Sequence, residues 1–162
     1  MLHGIRFGLA AGALALAGTL GSGVAPAADE PANVIKYRKA IMSANGGHMG
    51  ALAGMAKGEV TFTDEAAFHA EALNQLSQNL ERLFPEGTGK GDTEEESAAL
   101  AVIWEKPDEF RQAIQKLQEE SAKLAELTAS GEFDQVAFAQ QIGQLGKQGC
   151  GGCHEDFREK DD

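Results

Sequence analysis

Apolar side chains recur every three or four residues in four segments of the chain, a spacing typical of amphipathic helices. The predicted helices run from Pro31 to Lys57, from Thr63 to Pro85, from Pro107 to Gly131 and from about Asp134 towards the C-terminus. Strand signals are scarce, so the sequence predicts an all-α fold. Four such helices, joined mostly by short connections, predict an antiparallel up-down-up-down four-helix bundle.

Each predicted helix carries an apolar stripe that should face the core. The stripe of the second helix comprises Phe68, Leu73, Leu76, Leu80 and Leu83, and that of the fourth comprises Phe138, Ile142, Leu145, Gly149 and Cys153. Three glycines follow the second helix, at positions 87, 89 and 91, but no strand precedes them and the Gly-Lys-Ser/Thr ending of a phosphate loop is absent. This segment is interpreted as a plain connector.

The first helix contains four glycines in its second half, Gly46, Gly47, Gly50 and Gly54. Each interior glycine costs roughly 0.5–1 kcal/mol relative to alanine. The periodicity nevertheless continues through them, so one uninterrupted helix is predicted. Close approach of a neighbouring helix or of a flat ring would explain the missing side chains.

The first 27 residues resemble an export signal. Arg6 lies in a short polar start, an apolar run follows from Phe7 to Leu20, and Ala25-Pro26-Ala27 forms a small-x-small cleavage site. A membrane anchor is the alternative, but the run is short for the roughly 20 residues that span a bilayer. Residues 1–27 are predicted to be a signal peptide and residues 28–162 a single bundle domain.

The chain is strongly acidic, with a formal net charge of −11. Removing residues 1–27 takes away Arg6 and no acid, so the charge becomes −12. Such a surface repels phosphate backbones and anionic lipids, which argues against nucleic-acid partners and membrane insertion after processing. Partners with basic patches are favoured, although the charge could serve solubility alone.

The most informative motif lies near the C-terminus, where Cys150-Gly151-Gly152-Cys153-His154 has the Cys-x-x-Cys-His pattern of covalent haem c attachment. Cys150 and Cys153 can each bind one vinyl group of a porphyrin, and His154 can supply the proximal iron ligand. A disulfide between the two cysteines is the remaining alternative, but it leaves His154 unexplained. In bacteria c-type haem is normally attached outside the cytoplasm, so the motif and the export signal together predict the periplasm.

With this motif the chain resembles the cytochrome c′ family, which is itself a standard example of the four-helix bundle. The resemblance covers essentially the whole mature sequence. Its supporting pieces are Lys36-Tyr37-Arg38, Leu83-Phe84-Pro85, Ile103-Trp104, Asp108-Glu109-Phe110, the motif at 150–154 and Phe157-Arg158. A haem motif at the extreme C-terminal end is the most specific of these pieces.

Function depends on which residue lies on the other side of the iron from His154. In an antiparallel bundle the early part of the first helix lies beside the late part of the fourth. At 1.5 Å per residue from Pro31, Met42 lies about 16 Å along the helix, His48 about 25 Å and Met55 about 36 Å. Only Met42 is near the level of His154, and the resemblance places the family's distal position at Met42 too.

A methionine thioether favours reduced iron and raises its potential. Met42 as distal ligand therefore predicts a periplasmic cytochrome that carries single electrons with His/Met ligation. The alternative is that Met42 only packs beside the ring. Better-known family members have an apolar residue there, which leaves the iron five-coordinate and open to nitric oxide or carbon monoxide.

The resemblance also implies that Arg38 and Arg158 contact haem propionates, with Arg158 able to cover the proximal face instead. A surface ion pair is the alternative for Arg38, and a solvated arginine near a helix end for Arg158. No acid/base pair beside the iron is evident, so no enzymatic bond-making is expected. Family members often dimerise through their first two helices, which makes a homodimer possible, and periplasmic redox proteins are the expected partners.

Overall fold

The computed structural model describes residues 29–160, whose regular secondary structure is helical; the predicted signal peptide lies outside them. Within these residues six α-helices follow one another: α1 Pro31–Ala56, α2 Ala66–Ser77, α3 Val102–Glu105, α4 Pro107–Thr128, α5 Gln135–Gln144 and α6 Gly152–Phe157. A π-helical turn, Leu145–Gly151, joins α5 to α6 without a break, and 3-10 turns occupy Thr63–Glu65 and Glu81–Leu83. The prediction of an all-α four-helix bundle is confirmed. The first and third long helices are α1 and α4, the second is built on α2, and the fourth runs from α5 through α6.

The helix ends follow local chemistry. Pro31 and Pro107 occupy the first turns of α1 and α4, where a missing N–H costs nothing. Gly58 and Gly131, with φ of 71° and 76°, provide the left-handed residue just after α1 and α4. The carboxylate of Asp134 accepts a 2.7 Å hydrogen bond from the Ala137 N–H and caps α5.

The second helix differs from the prediction. It ends at Ser77 rather than near Pro85, and the chain continues as the short 3-10 turn Glu81–Leu83. Phe68 is 66% exposed, while the buried side carries Ala66, Ala70, Leu73, Ser77 and Leu80. These five positions are spaced three or four apart, and Phe68 lies about 200° around the helix from Ala66. Small residues on this side let α2 pack closely on α4, where the Ser77 and Ser121 hydroxyls are 3.4 Å apart.

Two clusters of buried apolar residues fill the bundle. One joins α1, α2, α4 and α5 around Leu52, Leu73, Leu124 and Phe138. The other lies towards the haem motif and includes Leu80, Ile103, Phe110, Ile114 and Phe157, with Met42 and Cys153 packed against it. Between residues 29 and 160, no helix is both long enough and apolar enough to cross a bilayer.

Candidate haem site

A cavity of about 530 Å³ opens beside the second cluster and brings together most of the predicted site residues. Its interior is apolar, with Ile35, Leu80, Phe84, Ile103, Phe110, Ile114 and Phe157 among the lining residues. Cationic and hydroxyl groups also line it, from Arg38, Lys39, Ser43, Ser97 and Arg158. A planar apolar ring with two carboxylate tails, such as haem, matches this division.

The residues of the attachment motif lie on the continuous fourth helix. Cys153 and His154, in α6, line the cavity, and Cys150 is half-buried at the end of the π-helical turn. The two cysteines are not bonded to each other, unlike in the disulfide alternative. Burial raises the pKa of the Cys150 thiol, and burial together with Cys150 and Asp156 raises the pKa of Cys153 to about 11. Both thiols are therefore neutral at pH 7, which differs from the thiolates of redox-active dithiols.

Glycine lets the π-helical turn pack directly against α4. A Cβ atom on Gly149 would lie 3.2 Å from the Leu117 Cα and 3.1 Å from its Cδ1. It would also lie 3.0 Å from Leu145 Cδ1. Position 149 was predicted to face the core, but the π-helical geometry was not. Such turns are frequent at functional sites, and this one runs directly into the cysteine motif.

On the facing helix, α1, the cavity is lined by Met42 and by residues one turn on either side of it, Arg38 and Gly46. The level predicted for Met42 therefore agrees with the structure, which brings Met42 and His154 to the same cavity. The other two methionines of α1 do not line the cavity. Met55 is buried in the first cluster, and Met49 packs against it, with its methyl group 3.3 Å from the Cβ position of Gly146.

The glycines of α1 are explained only in part. No atom outside the local helix lies within 4 Å of a Cβ built on Gly46, Gly47 or Gly50, so no helix among residues 29–160 uses the gap. Gly54 has ordinary contacts with Val60 and Glu59. Gly46 does line the cavity, where a flat ring can use the missing side chain.

Arg38 is 5% exposed, so the surface ion pair considered for it is wrong. Its Nη1 donates to the Leu83 carbonyl at 3.0 Å and to Thr88 Oγ1 at 2.9 Å. Its Nη2 donates to the Thr88 carbonyl at 2.6 Å and to Ser97 Oγ at 2.8 Å. The guanidinium carbon also lies 4.6 Å from the ring centroid of Phe84. Burial lowers the pKa of Arg38, but an arginine keeps its charge at neutral pH.

The segment between α2 and α3 is a wall of the cavity, and its interpretation as a plain connector is wrong. Thr88 and Ser97 hold Arg38 in place, and Ser97, Ala98 and Ala99 line the cavity. No periodic pattern marks these residues in the sequence. The sequence pieces at 36–38 and 83–85, which support the family resemblance, are the features of the sequence that indicate a role for this region.

Arg158 is exposed, lines the same cavity and directly follows α6. Its backbone N–H donates to the His154 carbonyl at 3.3 Å, and Arg158 forms an isolated bridge with Ala99. On either side, the Leu100 N–H donates to the Phe157 carbonyl at 3.1 Å and the Glu159 N–H donates to the Ala98 carbonyl at 2.8 Å. We call this pairing of residues 98–100 with 157–159 the C-terminal clasp.

The residues around the cavity fit haem c. Two neutral thiols and an imidazole lie on one helix, an apolar cavity opens beside them, and two arginines suited to carboxylate tails line it. When bound, haem supplies a redox-active iron with two axial positions. Met42 and His154 are the side chains with sulfur or imidazole donors for those positions, apart from the attachment cysteine Cys153, among the residues lining this cavity.

Comparison with known proteins agrees with this site. The family model described as Cytochrome C′ matches residues 33–158. A cytochrome c′ from Pararhodospirillum photometricum is 40% identical over 130 residues, covering 80% of this chain and 98% of that protein. The structure of a cytochrome c′ from Rhodobacter spheriodes superposes with a TM-score of 0.73 at 31% identity, covering 82% of this chain and 100% of the other. The nitric oxide complex of a variant cytochrome c prime from Alcaligenes xylosoxidans gives a TM-score of 0.72 at 25% identity, covering 83% and 100%.

Proposed function

The chain belongs to the cytochrome c′ family and carries covalent haem c, and on that premise we propose that it binds a small gas, nitric oxide or carbon monoxide, on the distal side of the haem. Cys150 and Cys153 anchor the haem in this proposal, and His154 is the proximal ligand. Arg38 and Arg158 bind the propionates. The gas enters on the side lined by Met42 and Gly46.

The observation that carries this proposal is the structural similarity to the nitric oxide complex of a cytochrome c prime variant, which extends over the full length of that protein. The cavity supports it, because α1 presents the flexible apolar side chain of Met42 one turn from Gly46, a position without any side chain. A diatomic gas is small and uncharged, so it needs little room and no polar partner. Displacing or bypassing Met42 provides that room.

Electron transfer is the second candidate function, and the placement of Met42 favours it. Met42 lines the same cavity as His154 but lies on the facing helix. With its thioether bound to iron, the haem would be six-coordinate and would carry single electrons at a raised potential. The two functions differ in one respect, which is whether the Met42 sulfur occupies the distal position.

Visible spectroscopy of the purified haem protein separates the two functions. Under the gas-binding proposal the oxidised protein has a high-spin spectrum, and the reduced protein shifts on addition of carbon monoxide. Under the electron-transfer function the oxidised protein has a methionine-to-iron charge-transfer band that disappears in Met42→Leu. Met49→Leu is the matched control, because Met49 packs against the other core cluster and should leave either spectrum unchanged.

The proposal assigns the chain to the periplasm, with no bond-making reaction. Its acidic surface favours redox partners with basic patches and disfavours nucleic acid and membranes. Haem staining of periplasmic and cytoplasmic fractions tests the compartment. A cytoplasmic location would contradict it.

The proposal also includes a homodimer formed through α1 and α2. On this side of the bundle Gly47 and Gly50 have no neighbour within 4 Å of their Cβ positions, and Phe68 is 66% exposed. A second copy can therefore approach the α1 backbone closely. Light scattering should show a dimer for the wild type and a monomer for Gly50→Arg. Gly143→Arg, a matched substitution at an exposed glycine of α5, should remain dimeric.

A further inference from the structure

We propose that His48 and His69 form a second metal site, separate from the haem, that binds one divalent transition-metal ion and prefers Cu²⁺. The two imidazoles converge from α1 and α2, with 2.8 Å between their Nδ1 atoms. Their ring centroids are 5.1 Å apart. The two remaining histidines are His3, in the predicted signal peptide, and His154, in the haem motif. His48 and His69 are therefore the two histidines of the predicted mature chain that lie outside the haem motif.

The separation of the two nitrogens suits a metal ion. With metal–nitrogen bonds of about 2.0–2.1 Å, two ligands at right angles have nitrogens about 2.9 Å apart, and two tetrahedral ligands about 3.3 Å. The observed 2.8 Å is a hydrogen-bond distance, and the two nitrogens would need to move little to reach the right-angle value. Square-planar and tetragonal sites of nitrogen and oxygen ligands favour Cu²⁺ or Ni²⁺, and Cu²⁺ binds most tightly among the divalent metals of the first row.

Binding replaces a proton that the pair now shares. Two neutral imidazoles linked through Nδ1 need one N–H donor and one lone pair. A metal ion takes both Nδ1 lone pairs, so the donating imidazole changes tautomer: it loses its proton at Nδ1 and gains one at Nε2, with no net release of protons. Water completes the coordination.

The surroundings of the pair hold the rings in place. Glu65 Oε2 lies 3.7 Å from His69 Nε2, the nitrogen that does not face His48. This distance is too long for a hydrogen bond, but it leaves Glu65 within reach of the Nε2–H of a ligating His69, and a carboxylate that accepts such an N–H orients the ring and raises its basicity. The Phe68 ring contacts both imidazoles edge-on, at centroid distances of 5.8 and 5.2 Å. Both histidines lie within regular helices, which limits their movement.

The pair is also distinct from the haem cavity. His48 is six residues beyond Met42, about 9 Å further along α1, and it packs against α2 rather than the cavity. A metal ion bound here joins two helices at a point where the haem does not. Occupancy can therefore be measured without disturbing the haem spectrum.

Titration of the untagged, mature, oxidised haem protein with Cu²⁺, monitored by electron paramagnetic resonance, tests the proposal. We expect one Cu²⁺ per chain with hyperfine coupling to two nitrogens, and weaker binding of Ni²⁺ and Zn²⁺. His48→Gln and His69→Gln should each weaken Cu²⁺ binding at least tenfold. Gln75→Ala, an exposed α2 residue hydrogen-bonded to Glu71, should bind like the wild type. Unchanged haem spectra and circular dichroism will verify the fold of each variant.

Two results would overturn the proposal: Cu²⁺ binding of undiminished affinity in the double variant, or the absence of coupling to two nitrogens in the wild type. Tighter binding of Zn²⁺ than Cu²⁺ would contradict the right-angle geometry. Since the gas-binding test reads the haem spectrum and this one reads added copper, failure of one leaves the other intact.

Discussion

Arg38 and Thr88 are joined by two hydrogen bonds, one to the threonine hydroxyl at 2.9 Å and one to its carbonyl at 2.6 Å. They are 50 residues apart in sequence, and both are buried. The other two hydrogen bonds of the guanidinium go to the Leu83 carbonyl and the Ser97 hydroxyl. One arginine of α1 therefore organises the irregular wall of the haem cavity through uncharged oxygens.

Replacing Arg38 with lysine should destabilise the haem protein. A lysine keeps the charge but cannot reach the four acceptors with one ammonium group, and bonds to charged donors contribute about 1.5–3 kcal/mol each. We expect the free energy of unfolding in urea to fall by about 2–4 kcal/mol. Lys39→Gln, which removes an exposed ion pair with Glu95, should change it by less than about 1 kcal/mol. Equal effects of the two variants would contradict this role of Arg38.

Gly149→Ala and Gly143→Ala should have opposite effects on stability. At 149 the new methyl group meets Leu117 and Leu145 at 3.0–3.2 Å, backbone included, so overpacking should cost about 1–3 kcal/mol. At 143, within α5, nothing lies within 4 Å, and alanine should stabilise the helix by about 0.5–1 kcal/mol. Thermal unfolding of the two variants measures both. A Gly149→Ala protein as stable as the wild type would show that α4 and the π-helical turn are not in such close contact.

Glu120 should make the protein sensitive to acid. Its carboxylate is 5% exposed and accepts hydrogen bonds from Lys116, Lys123 and Gln141, which lower its pKa to about 2. Because the folded pKa is below the usual value near 4.5, the stabilisation is complete above pH 4.5 and is lost as the pH falls towards 2. Urea unfolding between pH 6 and 2 should show this loss for the wild type.

Glu120→Gln should be less stable than the wild type at pH 6, with a shallower decline in acid. Glu119→Gln is the control, because it removes an exposed carboxylate 3.9 Å from the same Lys116 and keeps Glu120. Its decline between pH 4.5 and 2 should follow that of the wild type. Parallel curves for Glu120→Gln and the wild type would exclude this contribution of Glu120.

Gly46→Leu should obstruct gas binding without harming the fold. A Cβ at 46 has no neighbour within 4 Å, but the position lines the cavity next to Met42. Under the gas-binding proposal we expect carbon monoxide affinity of the reduced protein to fall at least tenfold. Gly143→Leu, in α5, has the same open surroundings but lies outside both the cavity and the proposed dimer face, so its affinity should match the wild type. Equal affinities in all three proteins would contradict binding on this side.

The attachment motif and the ends of α1 and α4 could be predicted because local sequence determines them. Pro31, Pro107 and Gly131 act within a turn of themselves, and Cys150, Cys153 and His154 are adjacent along one helix. Met42 also followed from a count along one helix. The helix ends and the motif need no information about distant residues, whereas the level of Met42 also required the antiparallel arrangement of the first and fourth helices.

Other features could not be predicted, since they depend on contacts between distant parts of the chain. Thr88 and Ser97 have no periodic signal, and only the folded chain brings them to Arg38. The apolar stripe predicted for the second helix included the large Phe68 and left out the small Ala66 and Ala70. In the folded chain the two alanines are buried and Phe68 is exposed, because α2 packs closely against α4. The close contact of the π-helical turn with α4, between Gly149 and Leu117, likewise joins residues far apart in sequence.

The C-terminal clasp ties residues 98–100 to residues 157–159 through two backbone hydrogen bonds on either side of the bridge between Ala99 and Arg158. Because these hydrogen bonds join main-chain atoms, they do not require particular side chains in either segment. The clasp therefore links the helix that carries His154 to the part of the cavity wall that carries Ser97. A displacement of α6 would therefore be transmitted to residues 98–100 and, through the adjacent Ser97, to the guanidinium of Arg38.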